Sequence, residues 1–328
     1  MERFEYASPG SRKEAVSLLA GEWGQTEVLA GGTDLVSSMK DRAVTPKRVV
    51  SLKKVSDLGG IRNSGKELRI GAMTTLRELI ENQHVKRNHP ALLESADYIR
   101  SEQLRNMGTI GGELLQRPRC WYFRLGYGLL AQDNGKPLVP DGDNRYHAIL
   151  GNSGPAYFVS PSMMAPILIA LGARVELYSA GGTREIALEK LYQTPTLANE
   201  REHTLHPNEI LTEIIVPHPA KGSHSAVYEV RQKEAMDWPL SAAAVVLEMN
   251  GGSVSKAHVV LGHVAPVPWP SPEAEQALEG KAISEETADA AGKAAVSKAT
   301  PLSMNGYKVQ LTRVAVKRAL LQAAQGGA

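Results

Sequence analysis

The chain has 328 residues, of which 42% are hydrophobic and 22% are charged, enough for two or three domains that each bury a core. Its formal net charge is only +2, so no overall field attracts nucleic acid or an anionic membrane. No apolar run is long enough to span a bilayer, and the N-terminal Met1 to Tyr6 lacks the apolar core of a secretory signal. A single cysteine, Cys120, excludes an internal disulfide and any four-thiolate cluster built from this chain alone. We therefore expect a cytoplasmic protein.

The first predicted unit, residues 1 to 55, is a small α/β subdomain. Ser11 caps a short amphipathic helix that reaches Ala20, and two strands are expected at residues 28–30 and 49–52. The first strand runs into the sequence Ala30-Gly31-Gly32-Thr33-Asp34-Leu35-Val36. Two glycines let a ligand approach the backbone, and the Thr-Asp pair opens a helical turn whose first N–H groups lack internal partners. Such a turn suits a phosphate oxygen, although the same letters also describe an ordinary glycine turn.

The second predicted unit, residues 56 to 217, is a larger α/β subdomain. It begins with a strand at residues 68–72, a helix capped by Thr75 and a helix at residues 91–99. A second glycine loop follows, Gly108-Thr109-Ile110-Gly111-Gly112-Glu113, which we interpret as the other half of a pyrophosphate site. A long irregular loop at 116–155 precedes an apolar helix at 165–171, a hairpin of strands 174–178 and 183–186, and a strand at 211–217.

The third predicted unit, residues 222 to 328, is an α+β domain that follows a polar linker. Three antiparallel strands are expected at 226–233, 242–249 and 254–261, with Asn250-Gly251-Gly252 turning the second into the third. Three helices follow at 271–278, 285–299 and 311–324, which predicts helices packed on one face of the sheet.

In order and separation, the two glycine segments resemble those of the FAD-binding subunits of the molybdenum hydroxylases, the family of xanthine dehydrogenase, aerobic carbon monoxide dehydrogenase and the bacterial aldehyde oxidoreductases. The family pattern is Ala-Gly-Gly-Thr-Asp-Leu followed by Ala-Thr-Ile-Gly-Gly-Asn. The first motif is intact here and the second ends in Glu113. Further similarity at 209–217 and from Tyr228 to Asp237 extends the resemblance over almost the whole chain.

The resemblance implies a fold: a vanillyl-alcohol-oxidase-type FAD-binding domain in two α/β subdomains, with the flavin between them, and a C-terminal domain of a three-stranded antiparallel sheet with three helices. It implies that backbone N–H groups of both glycine segments bind the FAD pyrophosphate. It also implies that Tyr228 covers the isoalloxazine ring, whereas an ordinary edge-strand aromatic is the alternative. No catalytic residue and no metal site is assigned. The predicted FAD-binding residues are Leu29, Ala30, Gly31, Gly32, Thr33, Asp34, Leu35, Val36, Gly108, Thr109, Ile110, Gly111, Gly112, Glu113, Leu211 and Tyr228.

The implied function is that of an oxidoreductase subunit. Electrons would leave the substrate at a molybdenum cofactor on a large partner subunit, cross [2Fe-2S] clusters on a small partner subunit, and reach this FAD. They would then pass to NAD, dioxygen or a quinone. The alternatives are a self-contained FAD oxidase of the same fold and a binding protein that has lost its flavin. The location would be periplasmic only if a partner exported the complex.

Some residues depart from the family pattern. Glu113 replaces an asparagine, and its carboxylate would repel a phosphate unless it points away; a methionine follows Ser160-Pro161-Ser162 where the family often has an aspartate that contacts FAD. The long loop resembles a branch that holds a [4Fe-4S] cluster on four cysteines. With Cys120 alone we predict no such cluster and a partly buried structural thiol. Its arginines, Arg117, Arg119 and Arg124, would by default form a solvated basic loop, with an FAD phosphate or an acidic partner as alternatives.

Overall fold

The computed structural model describes residues 1–232 and 238–326. They form three sheets and one two-stranded hairpin, with helices between and around them. Within these two ranges, no helix combines the length and the apolar character needed to cross a bilayer.

The N-terminal sheet has three parallel strands in the order β1-β3-β2, which are β1 Glu5–Ala7, β2 Thr26–Leu29 and β3 Arg48–Ser51. Its two helices are α1 Arg12–Ser17 and α2 Leu35–Lys40. The predicted cap is confirmed, because Ser11 Oγ accepts a hydrogen bond from the backbone N–H of Glu14. Two single-turn 3-10 helices, Leu52–Lys54 and Ser56–Leu58, lead into the next sheet.

The second sheet has five antiparallel strands in the order β4-β5-β10-β8-β9. They are β4 Ile61–Asn63, β5 Glu67–Gly71, β8 Arg174–Ser179, β9 Gly182–Ala187 and β10 Ile210–Pro217. The predicted hairpin of β8 and β9 is confirmed. The last of these strands in sequence, β10, is the central one, so residues 210–216 are all buried. The short β4 is not predicted because two of its three residues are polar and exposed.

Seven helices pack around this sheet or connect to it: α3 Leu76–Glu81, α4 Gln83–Asn88, α5 Pro90–Asp97, α6 Glu102–Met107, α7 Ile110–Leu114, α8 Trp121–Arg124 and α9 Ala165–Ala170. A 3-10 turn, Leu188–Leu191, follows β9. Thr75 and Glu78 form a full capping box at the start of α3. The prediction of an open second glycine loop is wrong, because Gly111 and Gly112 lie inside α7. Glycine has poor helix propensity, so α7 depends on its tertiary contacts.

The long segment 116–155 has a small core of its own, in which Phe123, Leu129 and Leu130 pack against Ala156 and Phe158. It also carries the hairpin of β6 Gln132–Asp133 and β7 Lys136–Pro137. The aromatic Phe123 thus anchors the segment.

The C-terminal sheet has four antiparallel strands, β11 Ser223–Val230, β12 Ser241–Asn250, β13 Ser253–Gly262 and β14 Trp269–Pro270. The expected three strands are present, and the two-residue β14 adds a fourth. Three helices follow, α10 Pro272–Leu278, α11 Glu285–Ala295 and α12 Tyr307–Ala324, in the predicted order. The predicted ends of the first strand at Lys233 and of the domain-start motif at Asp237 lie outside the described residues.

The two faces of this sheet have different neighbours. On one face, Val245, Leu247 and Val259 pack against the three C-terminal helices. On the other face, Ala244 and Val246 join the core of the five-stranded sheet. The C-terminal unit is therefore held against the region that contains the glycine segments, and the exact domain boundaries stay a prediction.

Candidate functional site

The two glycine segments lie side by side. A Cβ atom on Gly31 would lie 1.8 Å from the carbonyl oxygen of Met107 and 3.2 Å from the Cα of Gly108. Only a residue without a side chain allows the backbones to approach this closely. The prediction that two segments remote in sequence meet in space is therefore confirmed by their direct contact.

The first segment offers backbone donors to a ligand. Within residues 1–232 and 238–326, none of the five N–H groups from Gly31 to Leu35 donates a hydrogen bond to the protein. Gly32 has a φ of +86°, which turns the chain between β2 and α2. A run of consecutive free N–H groups at a turn into a helix is an arrangement that binds phosphate oxygens.

The second segment uses its donors internally. The N–H groups of Ile110 and Gly111 bond to the carbonyl oxygens of Thr74 and Ala72, both at 2.9 Å, and that of Gly112 bonds to Thr109 Oγ1 at 3.1 Å. In the second segment, the expectation of free N–H groups therefore applies to Thr109, whose N–H donates to no residue within 1–232 and 238–326, and the FAD contacts of this segment stay a prediction. A Cβ on Gly111 would meet Ala72 at 2.9 Å and Leu211 at 3.2 Å, because Gly111 is packed against the residue that follows β5 and against β10.

Two cavities open on either side of this contact, and five residues line both of them. We name them cavity A and cavity B. The shared residues are Thr33, Asp34, Thr109, Gly112 and Gln116. Cavity A is lined further by Trp23, Glu27, Val28, Ala30, Gly31, Gly32, Leu35, Ala72, Gly111, Arg117, Arg201, His203, Pro207 and Leu211, among others. Cavity B is lined further by Ser37, Leu76, Tyr98, Arg100, Leu104, Gly108, Glu113, Arg119, Met163, Arg231 and Trp238, among others. The glycine segments therefore form the junction of an elongated, two-lobed site.

A linked group of side chains forms one wall of cavity A. Arg201 bonds to Glu27 at 2.5 Å and lies 4.6 Å over the ring of Trp23, which in turn meets the edge of His203. Burial lowers the pKa of His203 to about 4, so this imidazole is neutral at pH 7. The ion pair joins β2 to the segment before β10 across the cavity.

In cavity B the carboxylate of Glu113 points away from the glycine junction. It accepts hydrogen bonds from Ser162 Oγ at 2.7 Å and from the N–H of Met163 at 2.6 Å, just before α9. Burial raises the pKa of Glu113 to about 7, although these hydrogen bonds oppose the shift. Glu229, also buried, has its pKa raised to about 7. Glu113, which stands where the family has asparagine, therefore directs its carboxylate toward Ser162 and Met163 and not toward the glycine junction.

The arginines of the long segment are not solvated, so that default interpretation is wrong. Arg124 bonds to Asp34 at 2.8 Å, and Arg119 Nη1 lies 3.1 Å from the same carboxylate. Arg117 pairs with the buried Glu202 at 2.5 Å. These arginines fix the segment on the first glycine turn.

Twelve of the sixteen predicted FAD-binding residues line cavity A or B. The other four, Leu29, Val36, Ile110 and Tyr228, line neither. Tyr228 lies in the edge strand β11, where its hydroxyl bonds to Arg318 and its ring lies 5.2 Å from that guanidinium, on α12. The edge-strand alternative fits this position better than a ring that covers the flavin. The assignment of individual residues to FAD stays a prediction.

Several residues that line the cavities are not predicted from the sequence, chiefly Trp23, Arg201, His203, Gln116 and Trp238. They form no sequence motif, and the contacts that join the wall of cavity A link positions far apart in the chain. In the described ranges, no three side chains of His, Cys, Asp or Glu are grouped so as to hold a metal ion.

Comparison with known proteins identifies the family to which this architecture belongs. Residues 2–219 match the model of the FAD-binding domain in molybdopterin dehydrogenases, and residues 226–323 match the C-terminal domain of carbon monoxide dehydrogenase flavoproteins. The chain belongs to this family of FAD-binding oxidoreductase subunits.

Relatives within the family align along their whole length. The chain is 32% identical over 324 residues to the carbon monoxide dehydrogenase medium chain of Afipia carboxidovorans, which covers 98% of this chain and 96% of the relative. It is 29% identical over 342 residues to the FAD-binding subunit of an Escherichia coli aldehyde oxidoreductase, covering 98% and 99%. The solved carbon monoxide dehydrogenase of Hydrogenophaga pseudoflava superposes with a TM-score of 0.79 at 30% identity, covering 100% of this chain and 99% of that one. The predicted family, fold class and FAD cofactor are thereby confirmed.

The residues of the site fit FAD. The free N–H groups of Gly31 to Leu35 suit a diphosphate, and a cavity on each side of the junction leaves room for the rest of a dinucleotide.

Proposed function

We propose that this chain is the electron-transfer flavoprotein of a molybdenum hydroxylase complex. A large partner subunit with the molybdenum cofactor reduces [2Fe-2S] clusters on a small partner subunit. This chain takes its electrons from those clusters. It then delivers them to an external acceptor, which is NAD, dioxygen or a quinone. The complex acts in the cytoplasm, or in the periplasm where a partner exports it. The observation that carries the proposal is the two-lobed cavity with five free backbone donors at its junction.

The protein's part in this function is to hold and orient FAD. The flavin supplies the redox chemistry, and the protein supplies binding, orientation and electrostatics. The backbone N–H groups from Gly31 to Leu35 would bind the diphosphate, and Thr109 and Gly112 would form the opposite side of the junction. The Glu27–Arg201 ion pair would keep the two walls of cavity A together around one end of the cofactor. The alternative function, a self-contained oxidase, would need a side chain beside the flavin that acts as a base toward the substrate.

Co-purification tests the assembly. The tagged chain, expressed with its neighbouring genes, should bring down a [2Fe-2S] protein and a large molybdenum protein, and contain one FAD. Recovery of a yellow chain without partners, whose flavin a small substrate reduces directly, would favour the self-contained oxidase.

Two glycine variants test the position of the cofactor. Gly112→Val places a branched side chain at the junction, next to Thr109 Oγ1 at 3.1 Å and Ala30 at 3.9 Å, and should remove most of the bound FAD. Gly181→Val is the control, because only Ser179 Oγ lies within 4 Å of its Cβ, at 3.6 Å, in the turn between β8 and β9. Full FAD content in Gly112→Val would contradict this placement.

A further inference from the structure

We infer that Arg119 supplies the counter-charge for the diphosphate of FAD, beside an ion pair of Asp34 with Arg124 that carries no net charge. The inference rests on the proposed FAD site and adds a side-chain contribution from a segment outside both glycine motifs.

Each carboxylate oxygen of Asp34 accepts a hydrogen bond from a donor other than Arg119. One carboxylate oxygen accepts the backbone N–H of Arg117 at 2.7 Å, and the other accepts a hydrogen bond from Arg124 at 2.8 Å. Arg124 is further held by Ser38 Oγ and by the carbonyl oxygen of Pro118. Arg124 lines neither cavity, and its charge offsets that of Asp34, which lines both.

Arg119 lies beside this ion pair at the junction. Its guanidinium contacts Asp34 Oδ1 at 3.1 Å and Gln116 Oε1 at 3.2 Å, and both partners line cavity A as well as cavity B. The ring of Trp238 lies 4.4 Å from the guanidinium carbon, which holds it against one wall of cavity B. The Nε of Arg119 is buried and has no hydrogen-bond partner within the described residues.

The charges at the junction therefore do not cancel. Asp34 carries one negative charge, and Arg119 and Arg124 carry two positive charges, which leaves one positive charge beside the free N–H groups of the first glycine segment. Asp41 also acts on Arg119, but it is exposed and water screens its charge. The guanidinium of Arg117 faces the buried Glu202 at 2.5 Å instead of Asp34. A diphosphate is the group in FAD that needs such a charge.

A charge cycle of Asp34 and Arg119 tests the inference in the full chain purified with its partner subunits. The measurement is the dissociation constant of FAD after removal and re-addition of the cofactor, at two salt concentrations, with melting temperatures of the apoproteins as the check on folding. Arg119→Gln should weaken FAD binding about tenfold and reduce its salt dependence. Asp34→Asn keeps an oxygen for the N–H of Arg117 but turns its NH2 group toward Arg124, so its melting temperature is compared with that of the wild type first. With the fold intact, it should bind FAD at least as tightly as the wild type, because one negative charge is removed from the junction. The double variant should return to within about threefold of the wild type, because the net charge at the junction is restored.

A purely structural role predicts a different pattern. If Arg119 only fastened the segment, Asp34→Asn would weaken FAD binding as much as Arg119→Gln, and the double variant would gain nothing; that result overturns the inference. Arg87→Gln removes the same charge from an exposed position of α4 and should leave FAD binding unchanged. Gly112→Val in the same assay distinguishes a failure of the proposed FAD site from a failure of the role of Arg119. If Gly112→Val loses FAD while Arg119→Gln binds it normally, the role of Arg119 is rejected and the FAD site is retained.

Discussion

Gly31 and Met107 are in backbone contact, although 76 positions separate them in the sequence: a Cβ on Gly31 would lie 1.8 Å from the carbonyl oxygen of Met107. That oxygen belongs to the last residue of α6, so a side chain at Gly31 would force the two glycine segments apart. The contact fixes the width of the junction between cavities A and B.

Gly31→Ala should therefore destabilise the apoprotein as well as weaken FAD binding. Neither backbone can move without disturbing β2 or α6, so we expect a loss of about 1–3 kcal/mol in the free energy of unfolding, as in other overpacked sites. Thermal melting of the FAD-free chain measures it. Gly21→Ala is the matched control, because nothing lies within 4 Å of its Cβ and it should not lower the melting temperature. An apoprotein as stable as the wild type would show that the segments separate freely.

The glycine motif could be read from the sequence, but the purpose of each glycine could not. Gly31, Gly111 and Gly112 look equivalent as letters, because each removes a side chain from the same kind of motif. The structure distinguishes them by what surrounds each Cβ position, which depends on β5 and on the packing of the two segments. The same limit applies to Asp34, whose partners lie more than 80 positions further on.

The fold was easier to predict than the site for a related physical reason. Strands such as β10 and the hairpin of β8 and β9 are set by local hydrophobic patterns and turn residues. The resemblance alone suggests that Tyr228 faces the flavin, whereas its contact with Arg318 on α12 depends on the packing of β11, which no local pattern reveals. The wall of cavity A depends on the ion pair of Arg201 with Glu27, and no local pattern announces a pair 174 positions apart.

Gly111 and Gly112 should respond differently to alanine. A Cβ on Gly111 meets Ala72 at 2.9 Å, so Gly111→Ala should lower the apoprotein melting temperature. A Cβ on Gly112 meets only Thr109 Oγ1 at 3.1 Å and Ala30 at 3.9 Å, so Gly112→Ala should have the smaller effect on stability and the larger one on FAD affinity. Titration of both apoproteins with FAD, together with their melting curves, provides the comparison. Equal losses of stability would mean that both glycines serve packing alone.

The stability difference between the wild type and Glu113→Gln should depend on pH. Burial raises the pKa of Glu113 from 4.5 to about 7, so between these values the folded chain binds more protons at this site than the unfolded chain. The contribution of Glu113 to stability is therefore greatest below pH 4.5 and falls as the pH rises to about 7, by on the order of 3 kcal/mol. Denaturant unfolding of both proteins from pH 5 to 8 measures the difference.

Taking that difference removes the effect of the other titrating groups, such as the buried His203, which the two proteins share. The exposed Glu22→Gln provides the control and should give a flat difference. A difference that grows with pH would mean that the hydrogen bonds from Ser162 and Met163 outweigh burial and favour the charged carboxylate.

Cys120 should react slowly with alkylating reagents in the native protein. Burial raises the pKa of its thiol, and its neighbour His147, whose Nε2 lies 3.2 Å from Sγ, is itself buried with a pKa lowered to about 4. A neutral imidazole does not stabilise a thiolate as an imidazolium would, so the thiol stays protonated at pH 8. We expect iodoacetamide to modify the native chain at least about tenfold more slowly than the unfolded chain, since reaction requires the thiolate.

Cys120→Ser should also leave the iron content of the subunit unchanged, because one thiolate does not hold a four-iron cluster. Rapid alkylation of the native chain would show that His147 is charged, and a loss of iron would show that Cys120 is a ligand.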